Sequence, residues 1–172
     1  MRRVVIVFVV IPIISLVAAG VALAVTERFA AKLTGAQEVP PVSTTAEGKA
    51  RFTKVSNTKM TYTLSASNIE NLSGGHIHLA PRGEDGPIVV DLNVRDSCTV
   101  EGTSISCRGA FTSADLEGDL EGRSLGALVR QMRAGNTYVN VHTDDGEPPA
   151  DTGPGDFPGG EIRGQIRAVS TS

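Results

Sequence analysis

The sequence predicts a mostly β protein: a single antiparallel domain of sandwich or barrel type with one short helix, preceded by an N-terminal hydrophobic helix. The chain has 172 residues, with 19 Gly, 9 Pro and no Trp. This composition favours short strands joined by turns over a helical bundle. About 148 residues follow the apolar N-terminal segment, which is the size of one domain.

Strand-like runs bounded by turn residues recur along the chain. The predicted strands are residues 29–34, 48–54, 59–66, 75–79, 87–92, 99–105 with a partner after Cys107, 138–143 and 161–169. Short strands repeated at this spacing indicate a sandwich or a barrel.

One segment has helical rather than strand periodicity. Apolar residues at i, i+3, i+4 and i+7 run from Leu125 to Met132, and this spacing predicts an amphipathic helix. Ser124 is placed to cap its start and Gly135 to close its end. The later residues 144–160, rich in Asp, Glu, Gly and Pro, are predicted to form a long solvated loop.

The N-terminus carries an export signal. Arg2 and Arg3 precede an apolar run over residues 4–25, and Ala22-Leu23-Ala24 has the small-x-small form that signal peptidase accepts. The run is also long enough to span a bilayer. Residues 1–24 are therefore predicted to be a signal peptide or a membrane anchor, with 25–32 leading into the first strand and 169–172 as a tail.

Both alternatives place the domain outside the cytoplasm, secreted or tethered, with membrane contact only through residues 4–25 if the segment is not cleaved. Without Arg2 and Arg3 the basic residues fall from 16 to 14 against 19 acids, a net charge near −5. Such a charge is unsuited to binding phosphate backbones, so nucleic acid is not a predicted partner.

The two cysteines, Cys98 and Cys107, flank eight residues that predict a hairpin turning at Glu101-Gly102. Cysteines on paired strands can meet, and an oxidising compartment favours a disulfide between them. The alternatives are two free buried thiols or a metal or redox pair, although the spacing is not C-x-x-C.

All three histidines lie in two predicted strands, Gly75-His76-Ile77-His78 and the segment that ends at His142. Because side chains alternate along a strand, His76 and His78 share one face, as do Tyr138, Asn140 and His142. The apolar residues between them are expected to face the core. The same alternation places Glu161, Arg163 and Gln165 outward on the last strand, so the polar set should form an outer face or the wall of a cleft.

If these strands are neighbours, His76, His78 and His142 form a three-nitrogen site suited to copper or zinc. Tyr138, Asn140, Glu161 and Arg163 are then candidates for the groups that surround it. The alternative is that the histidines only form hydrogen bonds with neighbouring segments.

Acidic residues in turn-rich segments offer a second metal prediction, calcium, at sites typical of extracellular proteins. No D-x-D-x-D-G register is present, and the alternative is that these side chains are simply solvated. The residues are Glu84, Asp85, Asp144, Asp145, Glu147, Asp151 and Asp156.

Catalytic motifs are scarce. The sequence contains neither G-x-S-x-G nor a Gly-rich phosphate loop after a strand. Paired carboxylates occur only in segments that do not predict a fixed separation. The sequence therefore favours a protein that is not an enzyme.

Several ordered blocks resemble the CHRD (chordin-type) domain over residues 33–168. They are Leu33-Thr34-Gly35-Ala36-Gln37-Glu38-Val39-Pro40-Pro41-Val42, Gly48-Lys49-Ala50, Gly75-His76-Ile77-His78, Tyr138-Val139-Asn140-Val141-His142-Thr143 and Pro158-Gly159-Gly160-Glu161-Ile162-Arg163-Gly164-Gln165-Ile166. The resemblance implies an extracellular β-sandwich-type module. One departure from the family pattern is an insertion between the last two blocks, within residues 144–160.

Two functions follow from the sequence. The first is a non-catalytic extracellular module that binds an extracellular protein or a component of the cell envelope or matrix. The second is an extracytoplasmic copper- or zinc-binding protein that uses His76, His78 and His142.

Overall fold

The computed structural model describes residues 26–170, which form one antiparallel sheet of ten strands with few helices. The strands are β1 (Arg28–Thr34), β2 (Glu47–Lys54), β3 (Lys59–Ser67), β4 (Leu72–Leu79), β5 (Ile88–Asp91), β6 (Cys98–Glu101), β7 (Ser104–Thr112), β8 (Thr137–Thr143), β9 (Ile162–Gln165) and β10 (Arg167–Ala168). The helices are α1 (Val94–Ser97) and α2 (Leu125–Ala134), together with three single 3-10 turns.

The sheet runs in the order β5-β4-β8-β9-β1-β2-β3-β7-β6, and β10 pairs with the start of β1. It curls so that its two ends approach each other, since α1 contacts both β4 near one end and β7 near the other. The hydroxyl of Tyr62 on β3 reaches across this gap and donates to the carbonyl of Leu92. The predicted mostly β, barrel-like class is therefore confirmed.

The hydrophobic core fills the inside of the curl. Alternate residues of the longer strands enter it, among them Phe29, Phe52 and Leu64, which are almost completely buried. On the strands that carry the histidines, the inward residues are Ile77, Val139 and Val141. Their burial confirms the predicted strand alternation.

Helix α2 covers part of the core with the apolar face that the sequence predicts, including Leu128 and Met132. Gly135 ends it in the left-handed conformation with φ +75°, and its N–H reaches the carbonyls of Gln131 and Met132. Ser124 occupies the N-cap position, but its side chain makes no capping hydrogen bond. Ser124 is therefore correctly predicted as the N-cap residue, but its hydroxyl does not cap the first turn.

Three details differ from the sequence prediction. The hairpin after Cys98 turns at Gly102-Thr103, one residue later than expected, because Glu101 pairs with Ser104. β4 begins at Leu72 rather than Gly75. The last predicted strand is divided into β9 and β10, which lie on either side of Ile166 and pair with β8 and β1.

The long loop after β8 is only partly solvated, which corrects the prediction for residues 144–160. Residues 144–152 are exposed, whereas Asp156 and Phe157 are buried. Hydrogen bonds fix this end of the loop: Asp156 Oδ2 accepts from Thr152 N at 2.9 Å, and Phe157 N donates to Thr143 Oγ1 at 3.0 Å. A loop of this composition can be buried because its polar groups find protein partners.

The predicted N-terminal hydrophobic helix and the signal peptide or anchor at residues 1–24 lie outside the described residues. Between residues 26 and 170, no helix has the length and apolar character needed to cross a membrane.

Cys98 and Cys107 form the predicted disulfide. They lie directly opposite each other on β6 and β7, with 3.9 Å between their Cα atoms. The bond fastens β6, the last strand at one end of the sheet, to the longer β7.

Replacing both cysteines with alanine should lower the free energy of unfolding by about 2–3 kcal/mol, because the unfolded chain loses a short covalent loop. Urea unfolding of the wild type and the double variant measures the difference. Reduced wild-type protein should lose a similar amount. A wild-type midpoint that is unchanged by reductant would contradict the prediction.

Candidate metal centre

The three histidines lie on two adjacent strands, β4 and β8, and on the same face of the sheet. In this register His76 is opposite Asn140, His78 is opposite Tyr138, and His142 is opposite Gly74. The face is the one that points away from the core, since Ile77 and Val139 point inward. His142 is therefore the diagonal neighbour of His76.

The imidazole rings converge. The ring centroids are 4.8 Å apart for His76 and His142, 5.7 Å for His76 and His78, and 5.8 Å for His78 and His142. One ring nitrogen of each histidine lies within 4.8 Å of one ring nitrogen of each of the others. The structure thus brings together all three histidines that the sequence analysis proposed as ligands.

Backbone carbonyls orient two of the rings. His78 Nδ1 lies 3.0 Å from the carbonyl of Gly86, and His142 Nδ1 lies 3.0 Å from the carbonyl of Pro158. A carbonyl only accepts, so in the neutral imidazole Nδ1 carries the proton and Nε2 has a free lone pair. This is the arrangement that holds metal-binding histidines in many proteins.

One further nitrogen of each ring lacks a hydrogen-bond partner in the described part of the chain. Within residues 26–170, His78 Nε2, His142 Nε2 and His76 Nδ1 are buried and form no hydrogen bond. Buried polar atoms are almost always paired, so three unpaired nitrogens in one cluster require an explanation.

Burial lowers the pKa of all three histidines. The pKa of His142 falls to about 4, mainly through burial and further through the neighbouring His76 and His78. At neutral pH the cluster is uncharged, and a metal ion would not have to displace protons from it.

The glycine opposite His142 leaves room for the rings. A Cβ atom built on Gly74 would lie 3.0 Å from His76 Cε1 and 3.7 Å from His142 Cδ2. The first distance is tighter than ordinary packing, so a larger residue would force the His76 ring to move.

Tyr138 separates this cluster from a buried cation. Its ring stacks on His78 with 4.8 Å between centroids and an interplanar angle of 10°. The Tyr138 ring also contacts the Arg163 guanidinium, whose Cζ lies 3.4 Å from the ring centroid. Arg163 donates to Asp85 Oδ1 at 2.9 Å and to the carbonyl of Glu84 at 2.6 Å.

The polar face is not open to solvent: Glu161, Arg163 and Gln165, predicted to point away from the core on an outer face or a cleft wall, are all buried. Arg163 is only 1% exposed and Glu161 is fully buried. The physical reason is that loops cover this face and supply partners. Residues 80–86 bind Arg163 and Gln165, and the loop after β8 binds Glu161 through Gly155 N at 3.1 Å.

Glu161 and Asn140 differ in what they can offer a metal. The Glu161 oxygens accept from Thr44 Oγ1 at 2.6 Å and from Thr143 Oγ1 at 2.8 Å, so both are engaged. Asn140 is buried beside Glu38, with 3.4 Å between its Nδ2 and Glu38 Oε2. Among the described residues its Oδ1 has no partner.

Glu38 lies beside Asn140 in this region but was not predicted as a candidate site residue. In the sequence it stands only within the Leu33–Val42 block that resembles the CHRD domain. It is 6% exposed, and burial raises its pKa to about 8 despite the opposing charge of Arg163. It lies in the segment between β1 and β2, just after a 3-10 turn. This segment has neither strand nor helix periodicity. The only indication of a buried carboxyl in the sequence is an acidic residue followed by the apolar stretch Val39-Pro40-Pro41-Val42.

The acidic candidates divide into two groups. Asp144, Asp145 and Asp156 converge, with one carboxylate oxygen of each within 4.8 Å of the others. Asp85 instead pairs with Arg163, and the Glu84 carbonyl accepts from the same guanidinium. Glu147 and Asp151 are exposed and are not part of the converging group.

Comparison with protein-family models identifies the family of this chain. The family model for the CHRD domain matches residues 29–150, most of the chain. The match ends inside the loop after β8, before the block that contains Glu161 and Arg163. No curated protein matches the chain.

The raised pKa of Glu38 predicts a pH dependence of stability. Its carboxyl loses its proton near the ordinary pKa of 4.5 when unfolded but near 8 when folded, so the folded state binds more protons between these values. Stability should therefore fall as pH rises, by at most about 1.4 kcal/mol per pH unit. The histidines act in the opposite direction, because their pKa values are lower in the folded state than in the unfolded chain. Their contribution fades only above about pH 7.5, where the unfolded imidazoles are neutral as well.

Glu38→Gln should remove this fall between about pH 7.5 and 8. Urea unfolding at several pH values measures it, with the exposed Glu121→Gln as the matched control. A wild-type slope that persists in Glu38→Gln would contradict the assignment to Glu38.

Proposed function

Because the chain belongs to the CHRD domain family, we propose that it works outside the cytoplasm as a non-catalytic binding module. We propose further that His76, His78 and His142 hold a late first-row metal ion, zinc or copper, in this module. A CHRD domain is generally a non-enzymatic module, which supports the first part.

The observation that carries the metal proposal is the cluster of three unpaired imidazole nitrogens. Each is buried and uncharged at neutral pH, and two of the rings are already oriented by carbonyl groups. A single ion would give all three nitrogens a partner at once. A buried nitrogen without a partner has lost its hydrogen bond to water and gains none from the protein, which destabilises the folded state.

The geometry needs a modest adjustment to bind an ion. Metal–nitrogen bonds of about 2.0–2.1 Å place ligands of a tetrahedral ion about 3.3–3.4 Å apart, whereas the nitrogens here lie within 4.8 Å. We expect rotation of the imidazole rings about their side-chain bonds to supply this adjustment. Three nitrogens leave a fourth position for water or for a group from a partner.

Copper should bind more tightly than zinc. Both accept imidazole, and the general order of affinities for such sites puts Cu²⁺ above Zn²⁺. Thiolates are absent from the site because both cysteines form the disulfide, so a softer ligand set that would favour Cu⁺ is not available.

The extracytoplasmic location rests on two independent features. Arg2, Arg3 and the apolar residues 4–25 have the pattern of an export segment. The disulfide between Cys98 and Cys107 is compatible with an oxidising compartment. The partner is proposed to be an extracellular protein or an envelope component, and the acidic net charge argues against nucleic acid.

Titration of the metal-free full chain, without a polyhistidine tag, should show one equivalent of Cu²⁺ or Zn²⁺ bound. His142→Ala should weaken binding by at least about 10–100-fold, the loss that removal of a mere outer-shell partner already causes. Isothermal calorimetry measures the affinity. The electron paramagnetic resonance spectrum of the copper form should show coupling to three nitrogens in the wild type and to two in the variant.

A matched pair of glycine variants provides the control. Gly74→Ala keeps every ligand but displaces the His76 ring, so it should weaken binding. Gly126→Ala lies in α2 with only ordinary contacts and should leave binding unchanged. Equal weak binding by wild type and His142→Ala would overturn the metal proposal.

The location makes a separate prediction. Protease added to intact cells should remove a tag fused after Ser172, because the domain is outside the cytoplasmic membrane. The same tag on a chain that lacks residues 1–24 should be protected, as should a cytoplasmic marker. A protected tag on the full chain would contradict the proposed location.

A further inference from the structure

We infer that Asp144, Asp145 and Asp156 form a calcium site that fixes the loop between β8 and β9. This site differs from the histidine cluster in its ligands, which are carboxylate oxygens instead of imidazole nitrogens. Its residues come from the two ends of the loop, 144–145 and 156.

The three carboxylates are close enough to share one ion. One oxygen of each lies within 4.8 Å of the others. Ca–O bonds of about 2.3–2.6 Å allow ligand oxygens on opposite sides of the ion to be up to about 5 Å apart. The cluster therefore accommodates calcium without rearrangement of the loop backbone.

Exposed acidic groups are common without a bound ion, and what distinguishes this cluster is the buried Asp156. This side chain is only 3% exposed. Its Oδ2 accepts from Thr152 N at 2.9 Å and from Thr152 Oγ1 at 2.8 Å. Its Oδ1 is buried and has no hydrogen-bond partner in the described part of the chain. A buried carboxylate oxygen without a partner is costly, and a cation at the cluster would provide that partner.

The other two carboxylates are held in place by their own turns. Asp144 Oδ1 accepts from Gly146 N at 2.8 Å, and Asp145 Oδ1 accepts from Glu147 N at 2.9 Å. These bonds use one oxygen of each group, so the second oxygen accepts no hydrogen bond from residues 26–170. Each of the three aspartates thus keeps one free oxygen.

Within residues 26–170, no basic side chain forms an ion pair with this cluster. The ion pairs among residues 26–170 involve Glu27, Glu47 and Asp85, none of which lies in this loop. Three carboxylates without a counter-ion favour a divalent cation over a water molecule. Because the ligands are hard oxygens on a loop rather than on paired strands, calcium fits better than zinc, and better than Mg²⁺, which demands near-ideal octahedral geometry.

The position of the site connects it to the histidine cluster through the chain. Asp144 follows His142 by two residues, and Asp156 precedes Pro158 by two. The Pro158 carbonyl orients His142 through Nδ1. Calcium would hold both ends of the loop together and so keep that carbonyl in place, whether or not the histidines bind a metal.

The test is a calcium titration of the full chain, purified in mild detergent and freed of metal with a chelator. Calorimetry should give one site with a dissociation constant of about 10⁻⁴–10⁻³ M, the range of extracellular modules. The thermal midpoint should rise with calcium and reach a plateau.

Asp156→Asn and Asp145→Asn should each weaken calcium binding at least about tenfold, since each removes one charged ligand. Asp145 is exposed, so its variant does not risk the fold. Glu147→Gln removes the same charge from the same loop and should bind as the wild type does. Loss of binding in Glu147→Gln equal to that in Asp145→Asn, equal affinity for Mg²⁺, or no heat at about 10 mM calcium would overturn the inference. Copper titration of the same variants separates this result from the fate of the histidine site.

Discussion

The antiparallel pairing of β4 with β8 is the contact on which the rest of the site depends. It places Gly74 opposite His142 and Asn140 opposite His76, so that three imidazoles meet on one face. The same register sends Ile77, Val139 and Val141 into the core. A slip of one residue in either strand would exchange the two faces and put histidines into the core. The hydrophobic core therefore enforces the arrangement of the polar face.

A second constraint comes from covering the polar face. Once loops bury it, every polar atom needs a partner or carries a cost. Arg163 and Glu161 satisfy this demand with groups from distant segments, Asp85 and Thr44 among them. Among residues 26–170, the buried side-chain atoms that do not are the imidazole nitrogens, Glu38 Oε1 with Asn140 Oδ1, Asp156 Oδ1 and the Thr137 hydroxyl. The unpaired nitrogens and the unpaired Asp156 oxygen are the positions at which a bound ion would supply the missing partner.

Much of this layout could be predicted from local patterns. Strand alternation correctly separated His76 and His78 from Ile77, and helical periodicity identified α2 within two residues of its end. The short sequence separation of Cys98 and Cys107 correctly predicted that they lie on the paired strands of one hairpin. What could not be predicted is the burial of Arg163, because that depends on residues 80–86 folding back over β9. The conformation of such segments is set by tertiary hydrogen bonds rather than by periodicity. Glu38 was missed for the same reason, since no regular element surrounds it.

The short strands at the two ends of the sheet restrict how this domain can meet another protein. β5 and β6 have four residues each, and the chain between them, including α1, bridges the gap that they border. The disulfide holds β6 against β7 and prevents it from peeling away to offer a longer edge. Very short edges are a common defence against strand addition by a second chain. Recognition by backbone pairing, as in domains that bind peptides through an added strand, is thus unfavourable here. A partner of the proposed binding module would therefore have to contact side chains and loops.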